Sequence, residues 1–234
     1  MFEALFVRTD VSTQIGLGHF MRCLALAQAW KKQDGNVTFI STCESKSLRN
    51  RITDEGFELV SIKESYPDPV DFETTVSTIN HLPSTKPWVV LDGYHFDTDY
   101  QQSIKNNGNP LLVIDDIAHL NHYAADIILN QNINAEELSY SCEPETKLLL
   151  GTEYVLLRDE YLAYKNRNEK IPKVAKRILI TMGGSDPANV TLKVLNALNQ
   201  INVGDLEINV VVGASNPHLD ALKKEAVNCN HKIE

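Results

Sequence analysis

Gly16-Leu17-Gly18-His19-Phe20-Met21-Arg22-Cys23 follows an apolar run, Ala4 to Val7, that reads as a strand, and a polar loop, Arg8 to Ile15. It opens a segment in which Cys23, Leu24, Leu26, Ala27 and Trp30 recur at spacings that line one side of a helix. Strand, glycine turn and helix starting near Gly18 together define the first crossover of an α/β chain. Glycine lets the backbone approach a ligand, and a helix start offers unpaired N–H groups with a partial positive charge. His19 sits where that helix begins. The positive end of the helix dipole disfavours the imidazolium, so the expected ring is neutral near pH 7 and able to accept a proton. Arg22, three residues on, projects from the same face and adds a permanent cation. A base beside a cation suits a phosphate-bearing substrate; the spacing alone equally fits a helix-capping histidine and a surface arginine.

The same alternation continues outward. Strands are expected at Val37–Ile40, Phe57–Ile62, Trp88–Leu91, Leu111–Ile114, Ile127–Leu129 and Lys147–Leu150, with helices at Ser45–Glu55, Asp71–Leu82 and Asp97–Asn107. Near-continuous apolar strands alternating with helices indicate an open parallel sheet covered on both faces. Such sheets bind ligands beyond the carboxyl ends of their strands. Those ends carry Arg8-Thr9-Asp10, Asp92-Gly93-Tyr94-His95, Asp115-Asp116 and Asn130-Gln131-Asn132. Asp10 is a candidate to orient His19, and Tyr94 or His95 to reach the reacting group; spacing does not choose among them.

A charged run, Asp159 to Lys176, reads as a helix and linker, with Arg158 just before it as a candidate to face an interdomain cleft. A second βα unit then starts: strand Arg177–Thr181, the turn Met182-Gly183-Gly184-Ser185-Asp186-Pro187, and a helix from Ala188 to Asn199. Asp186 suits the N-cap and Pro187 the first helical position, with Gly183 and Gly184 forming a second anion-ready turn. A strand at Glu207–Val212 and a helix at Pro217–Val227 follow. The expected division is an N-terminal domain over 1–155, a linker over 156–176 and the beginning of a second domain over 177–234. Two strands make a small sheet, so the second domain reads as truncated or as completed by a partner, or else its strands extend the first sheet.

Composition narrows the function classes. Net charge is −9 with no basic cluster, which argues against nucleic acid as a partner. Hydrophobic content of 43% and charged content of 23% are those of a globular protein, and no apolar run approaches the ~20 residues of a membrane span. The N-terminus lacks the pattern of an export signal, and the four cysteines, Cys23, Cys43, Cys142 and Cys229, form no C-x-x-C pair. A cytoplasmic setting is expected. A nicotinamide cofactor is disfavoured because Met21 occupies the third-glycine position and no acid ends the second strand.

Gln14-Ile15-Gly16-x-Gly18-His19-x-x-Arg22 resembles the N-terminal signature of the pseudaminic acid biosynthesis hydrolases, which release UDP from UDP-2,4-diacetamido-2,4,6-trideoxy-β-L-altropyranose. Matches continue in order at Asp92-x-Tyr94, Asp115-Asp116, Asp126-Ile127-x-Leu129-Asn130, Tyr154-x-Leu156-x-Arg158, Met182-Gly183-Gly184-x-Asp186 and Ser215-Asn216-Pro217. The spore-coat polysaccharide proteins of the same superfamily look similar. The resemblance implies a B-type glycosyltransferase fold, two Rossmann-like domains with parallel sheets facing across a cleft, without a required metal or cofactor. It implies His19 as catalytic base and a UDP-sugar substrate, with Asp10, Gly16, Gly18, Arg22, Tyr94, Arg158, Gly183, Gly184 and Asp186 as candidate binding residues. A glycosyltransferase, a hydrolysing 2-epimerase and a non-catalytic nucleotide-sugar binder remain the alternatives.

Overall fold

A computed structural model describes residues 4–12, 15–81, 86–165, 170–201, 203–204, 206–213 and 216–234. Gln14 and Ser215 of the matched motifs, the expected helix end at Leu82 and residues 166–169 of the expected linker lie outside the described residues. The chain forms two compact units, Met1–Lys165 and Asn166–Glu234.

In the first unit the elements run β1 (Leu5–Thr9), α1 (Gly18–Lys31), β2 (Val37–Ser41), α2 (Lys46–Asp54), β3 (Glu58–Ser61), α3 (Pro69–Asn80), β4 (Trp88–Asp92), α4 (Thr98–Asn106), β5 (Leu111–Ile114), β6 (Ile127–Asn130), β7 (Lys147–Leu150) and α5 (Asp159–Leu162). The seven strands form one sheet in the order β3-β2-β1-β4-β5-β6-β7, every pair parallel. Strand alternation divides the core between two faces. Leu5, Val7, Phe39 and Val90 pack with Phe20 and Leu24 of α1 and Leu48 and Ile52 of α2. Phe6, Ile40, Val89 and Leu91 pack with Ile79 of α3 and Tyr100 and Ile104 of α4. Asp68, followed by Pro69, caps α3, and Asp97 caps α4 by accepting from Tyr100 N at 2.9 Å.

The chain adds strands outward from β1 to β3 and then returns to place β4 on the other side of β1. A crevice opens at the carboxyl ends of strands on either side of such a reversal. The register Thr9↔Asp92 puts the last residue of β4 beside the last residue of β1, directly under the start of α1.

The expected polar loop after the first strand needs correction. Arg8 and Thr9 belong to β1, and Arg8 is wholly buried. Two carboxylates make that tolerable: Arg8 donates to Asp10 Oδ2 at 2.8 Å and Asp71 Oδ1 at 3.2 Å, and its guanidinium lies 4.9 Å from the centre of the Phe96 ring. Within the expected linker, α5 is tied to the first unit by Lys32–Asp159 and Arg51–Glu160 ion pairs and by Gln28 Oε1 accepting from Asp159 N.

The second unit contains β8 (Arg177–Thr181), α6 (Val190–Asn199), β9 (Glu207–Val211), α7 (Leu219–Asn228) and β10 (Lys232–Ile233). It has its own three-stranded parallel sheet, β10-β9-β8, so these strands do not extend the first sheet, and β10 is a strand the sequence did not announce. Two residues give no alternation to read; β10 is defined by pairing, with Val210 N donating to Glu234 O. Helix α6 also starts later than expected. Asp186 and Asn189 close a turn first, Asn189 takes a left-handed φ of 48° at the N-cap, and Pro187 lies outside the helix. Asp186 still caps from that turn, accepting from Val190 N at 2.7 Å and Thr191 N at 2.9 Å.

Gly213 is fixed by close approach: a Cβ there would lie 2.2 Å from the backbone oxygen of Gly184. Backbone cannot yield as a side chain can, so Gly213→Ala is expected to destabilise this unit by about 1–3 kcal/mol. A urea titration of the variant measures it. Among the described residues no helix is long and apolar enough to cross a membrane.

Candidate active site

The turn from β1 into α1 is built to leave N–H groups open. Gly16 takes φ 81°, its N–H bonded to Ser12 O at 2.9 Å, and among the described residues no atom beyond the adjoining backbone stands within 4 Å of where a Cβ would project from Gly16 or Gly18. Leu17 is the N-cap, makes no side-chain cap, and the first turn holds no acid. The first-turn donors therefore face an anion-ready position.

His19 Nδ1 lies 2.6 Å from Asp92 Oδ1. The Asp92 carboxylate is fully buried and takes two further hydrogen bonds from Arg22, from Nε and Nη2, each at 2.7 Å. A carboxylate only accepts, so Nδ1 carries the proton and the lone pair of a neutral ring sits on Nε2. Arg22 Nη2 is also 3.1 Å from Nδ1, but it already donates to Asp92. The orienting group is thus Asp92 and not Asp10. Asp10 is occupied by Arg8, by His95 at 3.0 Å, by Ser65 at 2.6 Å and by Thr42 N at 2.8 Å, and does not touch His19. Its backbone position one residue past β1 made it look available; the buried Arg8 beneath it decides otherwise.

Arg22 spans two acids: its Nη1 also donates to both oxygens of Asp116, at 2.6 and 2.7 Å. Asp116 further accepts from Tyr94 OH and from Asn132 Nδ2, each at 2.8 Å. The Tyr94 ring meets the His19 ring edge-on, 5.0 Å between centroids at 85°. The carboxyl ends of β4, β5 and β6 and the start of α1 thereby form one connected rim. Burial and then the hydrogen bond to Asp116 push the Tyr94 phenol well above its usual range, so it stays protonated as a donor. Burial and the neighbouring Asp92 raise the Cys23 thiol, which donates to Asp92 at 3.3 Å and is no nucleophile at neutral pH.

The rim carboxylates shift the other way. Burial alone would raise Asp116, but the Arg22 hydrogen bonds and charge outweigh it and hold the group below the usual range. For Asp115, the Ala118 N–H, Tyr123, His119 and Tyr140 outweigh burial, and for Asp10, His95, Arg8 and Ser65 do so. Because these acids are depressed in the folded state, the unfolded chain binds protons first as pH falls. Their contribution is complete above about pH 5 and is lost progressively below about pH 4. Urea midpoints measured from pH 7 to pH 2 are expected to be flat to about pH 5 and then to fall.

The other expected residues make contacts of their own. Arg158 donates to Met21 Sδ on α1 at 2.8 Å and to Tyr161 OH at 2.9 Å, and pairs with Glu160. Gly183, with φ 76°, Gly184 and Asp186 belong to the second unit, where among the described residues no atom beyond the adjoining residues stands within 4 Å of a Cβ built on Gly183. Asn132 and His119 carried no signal of their own beyond standing in the segments after strands.

These two units define the class: a B-type glycosyltransferase fold of two Rossmann-like domains with parallel sheets. The crystal structure of MurG from Acinetobacter baumannii matches it with a TM-score of 0.59 at 16% identity, over 99% of this chain and 66% of that one. No family model matches the chain. The UDP-2,4-diacetamido-2,4,6-trideoxy-β-L-altropyranose hydrolase of Campylobacter jejuni is 31% identical over 229 residues, 94% of this chain and 73% of that protein. The chain belongs to the family of that hydrolase. The uncharacterized protein MJ1062 of Methanocaldococcus jannaschii is 29% identical over 222 residues, 92% of this chain; the match spans 43% of that protein's length.

Proposed function

We propose that the protein is a hydrolase that releases UDP from UDP-2,4-diacetamido-2,4,6-trideoxy-β-L-altropyranose, a step in the making of a nonulosonic acid such as pseudaminic acid. The observation that carries the reading is the Asp92–His19 pair at an uncapped helix start. It supplies an oriented Nε2 base beside N–H groups suited to a diphosphate. The family relationship to the Campylobacter hydrolase supports the substrate.

In this reading water gives its proton to His19 Nε2 as its oxygen bonds to the anomeric carbon. The bond from that carbon to the diphosphate oxygen breaks, and its electron pair leaves with UDP. Attack opposite the leaving group inverts the anomeric centre. Negative charge grows on the diphosphate, for which the open N–H groups of the α1 start are the proposed partners. Asp92 stabilises the imidazolium that forms, and Arg22 holds Asp92 in place with two hydrogen bonds. Asp10 and Arg158 are proposed to shape the site from behind, Asp10 through Arg8 and His95, Arg158 through Met21.

The test is incubation with a panel of UDP-sugars in ¹⁸O-water without acceptor. The expected result is free UDP, with the label in an inverted sugar. UDP release only when an acceptor is added points to a glycosyltransferase; a changed configuration at the neighbouring carbon points to a 2-epimerase. Stable binding without release leaves a nucleotide-sugar binder.

A further inference from the structure

A second acid–histidine pair stands beside the first. After β5, His119 Nδ1 lies 2.6 Å from Asp115 Oδ2, the same separation as His19 from Asp92. Both imidazoles meet one phenol. Tyr94 meets His19 edge-on and also meets His119 edge-on, at 5.3 Å and 75°. Asp115 is itself immobilised by Ile117 N, Ala118 N, Tyr123 OH and Tyr140 OH, so His119 is anchored to a rigid base. His119 Nε2 is buried and has no hydrogen-bond partner among the described residues. His119 uses one nitrogen for anchorage and presents its ring to Tyr94 and Tyr123.

We propose that His119 is a positioning residue for His19 that acts through Tyr94. The Asp115–His119 pair braces the phenol ring, and the braced ring limits the movement of the His19 imidazole that it meets edge-on. Tyr94 needs this brace because its hydroxyl is fixed at Asp116 while the residue is 45% exposed, so the ring can swing about that anchor. Edge-on ring pairs contribute about 0.5–1.5 kcal/mol, a factor of roughly 2 to 12 in rate.

The kinetic arm rests on the hydrolase reading; a second arm does not. In His119→Ala, kcat for UDP release is expected to fall about 3–10-fold with KM within about twofold. His119→Phe, which keeps the ring and loses the Asp115 hydrogen bond, recovers most of that loss. His119→Asn, which keeps a donor for Asp115 and loses the ring, does not. Tyr94→Ala combined with His119→Ala loses no more than Tyr94→Ala alone, because the effect passes through Tyr94. Independently of turnover, imidazole ¹⁵N spectra of the free protein are expected to show His19 as the Nδ1–H form in the wild type. In His119→Ala the Nδ1–H form set by Asp92 persists, and the His19 ring signals are expected to shift and broaden as the Tyr94 ring beside it loosens. Additive losses in the double variant overturn the proposal, and so does an unchanged His19 spectrum, whatever the rates. A wild type that releases no UDP removes the hydrolase reading and leaves the spectra to decide the role of His119.

Discussion

Replacing His19 by alanine is expected to lower the rate of UDP release by about 10²–10⁴-fold, the usual contribution of a general base. The loss falls on kcat, because the diphosphate partners are backbone N–H groups that the substitution leaves in place. The fold should be indifferent. His19 is not in either core cluster, and Asp92 keeps both Arg22 hydrogen bonds and that of Cys23 once the imidazole is gone. Thermal unfolding therefore separates the two effects: a variant that melts with the wild type and turns over slowly identifies a chemical role. A variant that releases UDP at the wild-type rate removes His19 from the mechanism. Exogenous imidazole, small enough to enter the space above Gly16 and Gly18, is expected to restore part of the rate.

Replacing Arg8 by methionine is expected to cost about 3–5 kcal/mol of stability, the range for removing one partner of a buried ion pair. Arg8, Asp10 and Asp71 are all essentially without solvent exposure, and Arg8 is the sole cation that bridges the two acids among the described residues. Without it, two carboxylates stand in a dry space beneath the rim. Their remaining partners, Thr42 N, Ser65 and His95 on Asp10 and Tyr66 N and Tyr100 on Asp71, are donors that cannot all compensate a charge. Burial then favours the protonated form of one of the acids. The variant is accordingly expected to lose less stability than the wild type as pH falls. Chemical denaturation at several pH values reads this directly. Replacing all three residues by apolar ones of similar volume is expected to recover most of the loss, since well-packed hydrocarbon often equals a buried ion network. A single Arg8→Met variant as stable as the wild type would show that the network contributes nothing to the fold.

The parallel sheets were legible because their strands are short apolar runs between helical segments. Leu111–Ile114, which is largely buried, and Lys147–Leu150 and Arg177–Thr181, which are more exposed, all coincide with the residues expected from that pattern. Errors gathered at strand ends. Arg8 and Thr9 are polar, and a polar residue continues a buried strand only if a partner neutralises it. That partner, Asp71, lies 63 positions away. The start of α6 was misplaced for a related reason: Asp186-Pro187 is a good helix start, but Asn189 inserts a left-handed residue that propensity does not foresee.

What the sequence determined by itself was local: a glycine turn feeding a helix that begins with His19, repeated βα alternation, and acids and amides at the strand ends. Each follows from neighbours within a few residues, through periodicity, backbone freedom and the open N–H groups of a helix start. Which acid serves the histidine was decided only by the tertiary structure. Asp10 is nine residues from His19 and Asp92 is seventy-three, yet the pairing of β1 with β4 sets Asp92 under α1 while Arg8 draws Asp10 to the other face. Strand order is settled by how whole apolar faces bury against helices, and no local pattern contains that information.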